Sequence, residues 1–248
     1  MRIHIQDIPV DLLVKQELTE LIGGWFKTPG QPRQIVTLNA LMLVNAGRDP
    51  QLQRALQAAD LVLIDGFGIE MALRRRGYRA ITRWAGIDLL RAMLSWCAGS
   101  GFPVFCYGGP PAITAPLRRV LREAWPQLKI AGIQHGFPPT HPEGAMAMTE
   151  LRRRGPCLLV AGLGSPAQEL FLAQHLPQLP GTVGIGVGGA LEVLAGLKRE
   201  APPIVRRCGW EWLYRMAREP ARWKKLPDLI RFWTQHIRFS KEGGDPKS

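Results

Sequence analysis

Six short apolar runs are spread along the first 190 residues, and each gives way to glycine or a small polar residue. They are RQIVTLNA, ADLVLIDG, FPVFCYGG, LKIAGIQHG, PCLLVAGLG and TVGIGVGG. Their length and their β-branched residues are typical of strands, and their apolar character on both sides is typical of strands covered on both faces. The pattern therefore predicts a sheet that is buried between two layers.

Segments with a helical spacing of apolar residues lie between these strands. They are ALMLVNAGRDPQLQRALQAA, IDLLRAMLSWCAGSG, PAITAPLRRVLREAWP, HPEGAMAMTELRRRG and SPAQELFLAQHLP. Regular alternation of strands and helices favours an α/β fold, in which a mostly parallel sheet carries helices on both faces.

The pattern changes at about Pro202, after which the chain shows helical segments rich in Trp and Arg and no further strand. Four of the eight tryptophans lie in this region, and from Lys198 onward there are 13 Lys and Arg against 6 Asp and Glu. We therefore predict an α/β domain over residues 1–200 and a basic, aromatic-rich helical C-terminal appendage over residues 201–248.

The net charge of +12 indicates a polyanionic partner, which is a nucleic acid, a phosphorylated substrate or an anionic membrane. No apolar run approaches the roughly 18 residues needed to span a bilayer. The N-terminus, MRIHIQDIPVDLL, also lacks the basic-then-apolar layout of a signal peptide. We expect a protein that is made and kept in the cytosol.

Polar and glycine residues follow the predicted strands, and the carboxyl ends of parallel strands meet at one edge, where such sheets bind ligands. Three glycine turns, YGGPPA, GLGSPAQE and GIGVGGALEVL, are typical of backbone that approaches a phosphate, and Ser165 is expected to cap the helix of the second. A nucleotide or sugar-phosphate ligand is predicted. The candidate residues at this edge are Thr37, Asn39, Asp65, Gly108, Gly109, Gly162 to Gln168, and Gly184 to Gly189.

Gly184, Gly186 and Gly189 also match the dinucleotide fingerprint G-x-G-x-x-G. The acidic residue expected about 20 positions further on is missing, because that region is PPIVRRCGW. An NAD(P)-binding Rossmann oxidoreductase, with Arg206 or Arg207 near a 2′-phosphate, stays open as an alternative.

Asp65 follows a strand-like run and precedes Gly66. One interpretation is a turn or helix-capping aspartate without chemistry. The other is a general base at the mouth of the ligand cleft, where partial shielding from water by Phe67 suits a carboxylate to accept a proton from an attacking hydroxyl. Position alone leaves both open.

Metal chemistry has no support in the sequence. The chain has no DxD pair to hold a divalent cation on a nucleotide diphosphate, and its cysteines and histidines lack the spacing of zinc ligands. We therefore expect neither a metal nor another cofactor.

The motifs together resemble the WecG/TagA/CpsF glycosyltransferases, family 26 of the glycosyltransferases. They run in the family's order from about Ile5 to Lys225 and cover most of the chain. They are TLN at 37–39, ADLVLIDGFG at 59–68, RWAGIDLL at 83–90, HGF at 135–137, GLGSPAQE at 162–169, GIGVGGALEVLAG at 184–196 and EWLYRMAREPARWKK at 211–225.

The resemblance implies a Rossmann-like domain with a helical C-terminal appendage. It also implies an inverting, metal-independent transfer of N-acetylmannosamine, or a related sugar, from a UDP-sugar to a polyprenyl-diphosphate-linked N-acetylglucosamine acceptor. Such transfers feed teichoic acid or other surface-polymer synthesis at the inner face of the bacterial plasma membrane, with which the protein would associate peripherally.

By the same resemblance, Asp65 is the catalytic base that deprotonates the acceptor hydroxyl. Asp88, which precedes LLRAML, is expected to be a helix cap instead. The resemblance also implies a set of donor-binding residues, which are Thr37, Asn39, Arg83, Gln168, Gly186, Gly188 and Gly189. Gly108 and Gly109 are added to this expected set because they form a glycine turn after a predicted strand.

The appendage mixes aromatic and basic residues at helical spacing, which fits either an ordinary core-packing helix or a segment that lies on anionic lipid. Arg215 and Arg222 are, by resemblance, expected to bind the acceptor diphosphate. A homo-oligomer is also compatible with the resemblance. A nucleic-acid binder would leave Asp65 without a role, so we expect no nucleic-acid partner.

Overall fold

The structure is a computed structural model of the chain. It describes residues 1–79, 81–136, 142–202, 204–205, 211–218, 223 and 226–238, without the side chains of residues 142–143, 212, 215 and 235–238.

Eight strands and eleven helices are described in these ranges. The strands are β1 (Arg2–Ile5), β2 (Ile8–Asp11), β3 (Arg33–Leu38), β4 (Leu61–Ile64), β5 (Val104–Gly108), β6 (Ile130–Gln134), β7 (Leu158–Gly162) and β8 (Val183–Gly186). The helices are α1 (Lys15–Lys27), α2 (Ala40–Ala46), α3 (Pro50–Gln57), α4 (Phe67–Arg75), α5 (Gly86–Ser100), α6 (Thr114–Ala124), α7 (Pro142–Arg154), α8 (Ala167–His175), α9 (Ala190–Leu194), α10 (Glu211–Arg218) and α11 (Leu226–Arg238). Two short 3₁₀ turns, Pro111–Ile113 and Leu176–Gln178, adjoin α6 and α8.

Strands β3 to β8 form one six-stranded sheet in the order β4-β3-β8-β7-β5-β6. Every pairing in it is parallel. Each of the six predicted strands is present, and the predicted α/β class with a parallel sheet is confirmed. The antiparallel hairpin β1–β2 forms a separate two-stranded sheet, whose Ile5, Ile8 and Val10 pack into the same apolar cluster as Val62 of β4.

Apolar clusters cover both faces of the sheet. On one face, residues of α1, α5, α6 and α9 pack against strand residues such as Ile35 and Val160. On the other face, α2, α3 and α4 form a second cluster and α7 and α8 form a third. Burial of apolar area on both sides is the main contribution to stability of such a sheet.

The sequence patterns missed or merged some elements. Hairpin β1–β2 and helix α1 were not predicted, and residues 40–59 form two helices instead of one. The break has a local cause, because Asp49 Oδ1 accepts hydrogen bonds from Gln51 N (2.9 Å) and Leu52 N (3.2 Å) and Pro50 occupies the first helical position. This capping starts a new helix at Pro50.

Helix α11 of the predicted appendage packs on the α/β domain. Its Phe232 is 1% exposed and belongs to the core cluster of α2, α3 and α4. A Cβ added to Gly68 would lie 3.2 Å from the Phe232 ring and 3.3 Å from Ala40 Cβ, so this ring rests directly on the start of α4. The boundary at residue 200 stays a prediction. Among the described residues, every helix is too short or too polar to cross a bilayer.

Candidate functional site

A cavity of about 190 Å³ opens at the carboxyl edge of the sheet. Its walls come from the turns after β3, β4 and β8, from the start of α5 and from helices α10 and α11. The lining residues are Asn39, Ala40, Leu41, Asp65, Gly66, Phe67, Gly68, Arg83, Ala85, Gly86, Ile87, Val187, Ala190, Glu211, Leu229 and Trp233. The structure therefore brings Asp65, Asn39 and Arg83 into one cavity.

Asp65 is fixed by the end of the sheet. Its N–H donates to the Leu38 carbonyl over 2.8 Å, which extends the β3–β4 ladder by one residue. Gly66 then takes φ = +99° and is the N-cap of α4. Asp65 therefore precedes the N-cap of α4 and is not the N-cap residue itself.

The Thr37 and Asp65 side chains both reach the start of α5. A Cβ added to Gly86 would lie 3.7 Å from Thr37 Oγ1 and 3.9 Å from Asp65 Oδ2. Thr37 is buried, and its hydroxyl donates to the Gly186 carbonyl over a long 3.5 Å. These contacts join the ends of β3, β4 and β8 around the first turn of α5.

Asn39 has a structural role of its own. Its Oδ1 accepts a hydrogen bond from Met42 N at 3.2 Å and so caps α2. Because the capping bond uses the amide oxygen, the Nδ2 group is the part of this side chain that is suited to donate to a ligand in the cavity.

Arg83 supplies a positive charge to the cavity wall. Its side chain is about one-fifth exposed, and Nη1 lies 3.9 Å from Glu70 Oε2. Glu70 also accepts a hydrogen bond from Arg74 Nε at 3.0 Å. The neighbouring Trp84 N–H donates to the Ile64 carbonyl at 2.7 Å, which ties the segment that carries Arg83 to the end of β4.

Gln168 lies behind the glycine turn that follows β8. Its Oε1 accepts the N–H of Gly188 at 2.7 Å, and its Nε2 donates to Glu169 Oε1 at 2.7 Å. A Cβ added to Gly186 would lie 2.6 Å from Gln168 Nε2, so this position requires glycine. In the dinucleotide fingerprint the second glycine, which corresponds to Gly186, lets the backbone approach the pyrophosphate closely. Here the Gln168 amide occupies that space, which argues against a dinucleotide site.

Glu169 is almost fully buried beside Gln168. Burial raises the pKa of its carboxyl group, while the hydrogen bond from Gln168 acts in the opposite direction. The carboxyl group is therefore protonated more readily than a carboxyl group in water.

Gly108 and Gly109 lie elsewhere on the same edge. They end β5, which is separated from β8 by β7, and they do not line the cavity. A Cβ added to Gly108 would lie 2.5 Å from the Gly162 carbonyl group, and Gly109 N donates to Gly162 O at 3.2 Å. Because β5 continues towards β6 and β7 continues towards β8, the edge between β5 and β7 is a topological switch point, where ligands bind in such sheets.

Two predicted helix caps are wrong. Helix α8 begins at Ala167 with Pro166 at the N-cap, so Ser165 does not cap it. Helix α5 has Ala85 at its N-cap, and Asp88 lies in the first turn, 3.6 Å from Arg91. In both cases the N-cap is an apolar residue, Pro166 or Ala85, and not the polar residue that was predicted.

Comparison with protein families decides the class of the protein. The profile described as the glycosyl transferase WecG/TagA/CpsF family matches residues 3–243. The chain belongs to this family. It is therefore a glycosyltransferase that takes a sugar donor and an acceptor, and the resemblance noted in its motifs is confirmed.

Some predicted residues of this glycosyltransferase lie outside the part of the chain that the structure describes. They are Arg222, Arg206 and Arg207 and the side chain of Arg215. Their expected roles stay predictions.

Sequence reasoning missed three residues of the appendage that line the cavity, namely Glu211, Leu229 and Trp233. Leu229, Phe232 and Trp233 are spaced three and four residues apart, as expected for one face of a helix. This spacing was the available signal, and it favoured a packed helix as much as a lipid-bound one.

In the described residues, no three His, Cys, Asp or Glu side chains are grouped so that they could hold a metal ion. Cys97, Cys106 and Cys157 are buried and free, and burial raises the pKa of Cys106 and of Cys157 to about 12. Such cysteines are part of the core.

Proposed function

We propose that the protein is an inverting, metal-independent glycosyltransferase that moves N-acetylmannosamine, or a related sugar, from a UDP-sugar to a polyprenyl-diphosphate-linked N-acetylglucosamine. It would act in bacterial teichoic acid or other cell-surface polysaccharide synthesis. The observation that carries the proposal is the shared cavity of Asp65 and Arg83 at the ligand-binding edge of the sheet.

Asp65 acts as the general base of this reaction. It accepts the proton of the acceptor hydroxyl while that oxygen forms a bond to the anomeric carbon of the donor. The bond between that carbon and the diphosphate oxygen breaks, and UDP leaves from the opposite face, which inverts the configuration. A carboxylate in this role requires only hydrogen-bond reach to the hydroxyl.

The leaving diphosphate needs positive charge in place of a metal ion. Arg83 supplies one charge at the cavity wall. The N-terminal ends of α4 and α5 also meet the cavity, through Gly66 and Gly86, and their backbone dipoles favour an anion there.

The donor lies, in this proposal, along the edge from β3 to β5. Thr37 and Asn39 contact the sugar side. The turn that contains Gly186, Gly188 and Gly189 lines the cavity through Val187 and Ala190, with Gln168 behind it. Gly108 and Gly109 serve the nucleotide at the switch point, which places the two parts of a UDP-sugar at two parts of one edge.

The appendage, residues 201–248, brings the enzyme to its lipid-linked acceptor at the inner face of the plasma membrane. Large exposed apolar side chains support this role. Ile204, Leu213, Trp223 and Ile230 are four of the nine on the described surface, and Trp223 and Ile230 are each 55% exposed. Such residues among basic ones suit a peripheral contact with anionic lipid. Arg215 and Arg222 would bind the acceptor diphosphate.

Turnover is the test of the reaction. The assay combines UDP-N-acetylmannosamine and a polyprenyl-diphosphate-N-acetylglucosamine acceptor with excess EDTA, for wild type, Asp65→Asn and Asp88→Asn. Asp88 is a matched control because it is an aspartate half exposed in the first turn of α5. We expect Asp65→Asn to lose about 100-fold or more in kcat and Asp88→Asn to keep it. Equal rates for the two variants would contradict the role of Asp65, and a wild type silent with every UDP-sugar would contradict the reaction.

The membrane contact has a separate test. Trp223→Ser with Ile230→Ser should lower cosedimentation with phosphatidylglycerol vesicles, whereas Met146→Ser with Val14→Ser, which also removes exposed apolar side chains, should not. Unchanged vesicle binding by the first pair would contradict the proposed contact through the appendage.

A further inference from the structure

A short chain of buried hydrogen bonds lies behind the glycine turn after β8. Glu169 Oε1 accepts from Gln168 Nε2 at 2.7 Å, and Gln168 Oε1 accepts from Gly188 N at 2.7 Å. Glu169 is 2% exposed and Gln168 is 5% exposed, so neither side chain reaches the solvent or the cavity. The chain connects the first turn of α8 to the backbone of the turn.

The direction of each bond in this chain is determined by chemistry. The Gly188 N–H can only donate, so the amide oxygen of Gln168 has to face it. The amide nitrogen of Gln168 then faces the opposite way and needs an acceptor, which Glu169 Oε1 provides. Glu169 thus holds Gln168 in the one orientation that binds the turn.

The position of this turn matters for the cavity. Val187 and Ala190, on either side of Gly188, line the same cavity as Asp65. The Gly186 carbonyl accepts a hydrogen bond from the Thr37 hydroxyl at 3.5 Å. The side chains of Thr37 and Asp65 both lie close to Gly86. A shift of the turn would therefore move the cavity wall and Thr37 together.

We propose that Glu169 is a positioning residue for the donor side of the cavity, because it fixes, through Gln168, the backbone turn 186–190, which lines the same cavity as Asp65. Glu169 does not touch the ligand itself. The identity of that ligand as a UDP-sugar rests on the proposed function, whereas the control of the turn by Glu169 does not.

A merely structural role for Glu169 makes a different prediction. If the buried carboxyl group only filled space, its loss would lower overall stability. Any nearby substitution that lowered the Tm equally would then affect donor binding equally. A positioning role predicts a local effect, confined to the turn, and full rescue by a side chain that keeps one acceptor oxygen.

The experiment compares Glu169→Ala, Glu169→Gln and the control Thr182→Ala. Thr182 is 1% exposed and precedes the other end of β8, so its truncation also removes a buried polar group beside this strand. The first readout is hydrogen exchange of the Gly188 amide in the absence of substrate. The second is the KM for UDP-N-acetylmannosamine and the kcat.

We expect Glu169→Ala to speed Gly188 exchange and to raise the donor KM about tenfold, by analogy with the loss of residues that orient metal ligands, which lowers affinity by about 10- to 100-fold. Glu169→Gln should keep both values near wild type, because its amide oxygen still accepts from Gln168. Unchanged Gly188 exchange in Glu169→Ala, or the same KM increase in a Thr182→Ala protein of equal Tm loss, would overturn the proposal.

The two proposals fail in distinguishable ways. If the wild type turns over no UDP-sugar, the proposed function falls and the exchange of Gly188 alone decides whether Glu169 controls the turn. If the wild type is active and Gly188 exchange is unaffected by Glu169→Ala, the positioning role falls and the function stands.

Discussion

Asp65 and Glu169 are two carboxylates at the carboxyl edge of the same sheet, and their surroundings separate them. Asp65 lines an open cavity with Arg83, whereas Glu169 is buried behind the turn 186–190, which lines the same cavity through Val187 and Ala190. In the proposed reaction the first accepts the proton of the acceptor hydroxyl, and the second acts through Gln168. The comparison shows that the strand end to which a carboxylate belongs matters less than whether water and ligand can reach it.

The largest effect on the cavity side, apart from that of Asp65, is expected for Arg83→Gln. Loss of the positive charge beside the leaving diphosphate should lower kcat/KM by about 100-fold or more, as for other removed transition-state contacts. Arg74→Gln is the matched control, because Arg74 binds the same Glu70 from a more exposed position outside the cavity. Steady-state kinetics of both variants check the prediction, and equal losses would indicate that only the ion pairs with Glu70 matter.

Phe232→Ala should loosen the cavity wall that α11 provides, and it should leave the turn 186–190 and its hydrogen bond to Gln168 intact. Truncation of a buried Phe costs about 3–5 kcal/mol, and here it would weaken the contact of α11 with Gly68 and Ala40. We expect lower turnover and faster amide exchange in α4 and α11, with Gly188 exchange unchanged. Ile230→Ala, on the exposed side of the same helix, should leave amide exchange in α4 and α11 unchanged. Faster Gly188 exchange in Phe232→Ala would show that the contact of α11 also controls the turn 186–190 and would contradict the prediction.

Glu169→Gln should stabilise the protein in a pH-dependent way. Because burial raises the pKa of Glu169 in the folded state, the folded protein holds this proton at pH values where the unfolded chain has lost it. Stability therefore falls as the pH rises from the unfolded pKa near 4.5 to the folded pKa. The amide group in Glu169→Gln does not ionise, so the stability of this variant does not fall over that pH range for this reason.

Thermal unfolding of wild type and Glu169→Gln between pH 4 and pH 8 measures this effect. The difference in Tm should be smallest near pH 4 and should grow with pH until the folded carboxyl group ionises. A difference in Tm that does not depend on pH would contradict the account of Glu169 as a buried acid.

Much of the fold could be predicted because its signals are local and repeated. Each core strand is a short apolar run that glycine or a polar residue ends, as in ADLVLIDG, and all six are present. Hairpin β1–β2 escaped prediction because Gln6 and Asp7 take positive φ values that their residue types do not demand.

Part of the candidate site could also be predicted from the sequence. Asp65 and Asn39 meet because parallel strands end at one edge, whereas Arg83, which lies between α4 and α5, was expected only from the family resemblance. The separate roles of Gln168 and Glu169 could not be predicted, because a motif letter does not tell whether a side chain faces the cavity or the core. The cavity wall of α11 depends on Phe232 docking on Gly68, 164 residues earlier in the chain, and no local pattern encodes such a contact.

The most direct test of the account is the turnover of Asp65→Asn beside that of Glu169→Gln, the same chemical change made at the two carboxylates. Both proteins would be assayed with UDP-N-acetylmannosamine and the lipid-linked acceptor after their folding is checked by thermal unfolding. We predict a loss of about 100-fold or more in kcat for Asp65→Asn and wild-type turnover for Glu169→Gln. Equal losses in the two variants, or a loss only in Glu169→Gln, would contradict it.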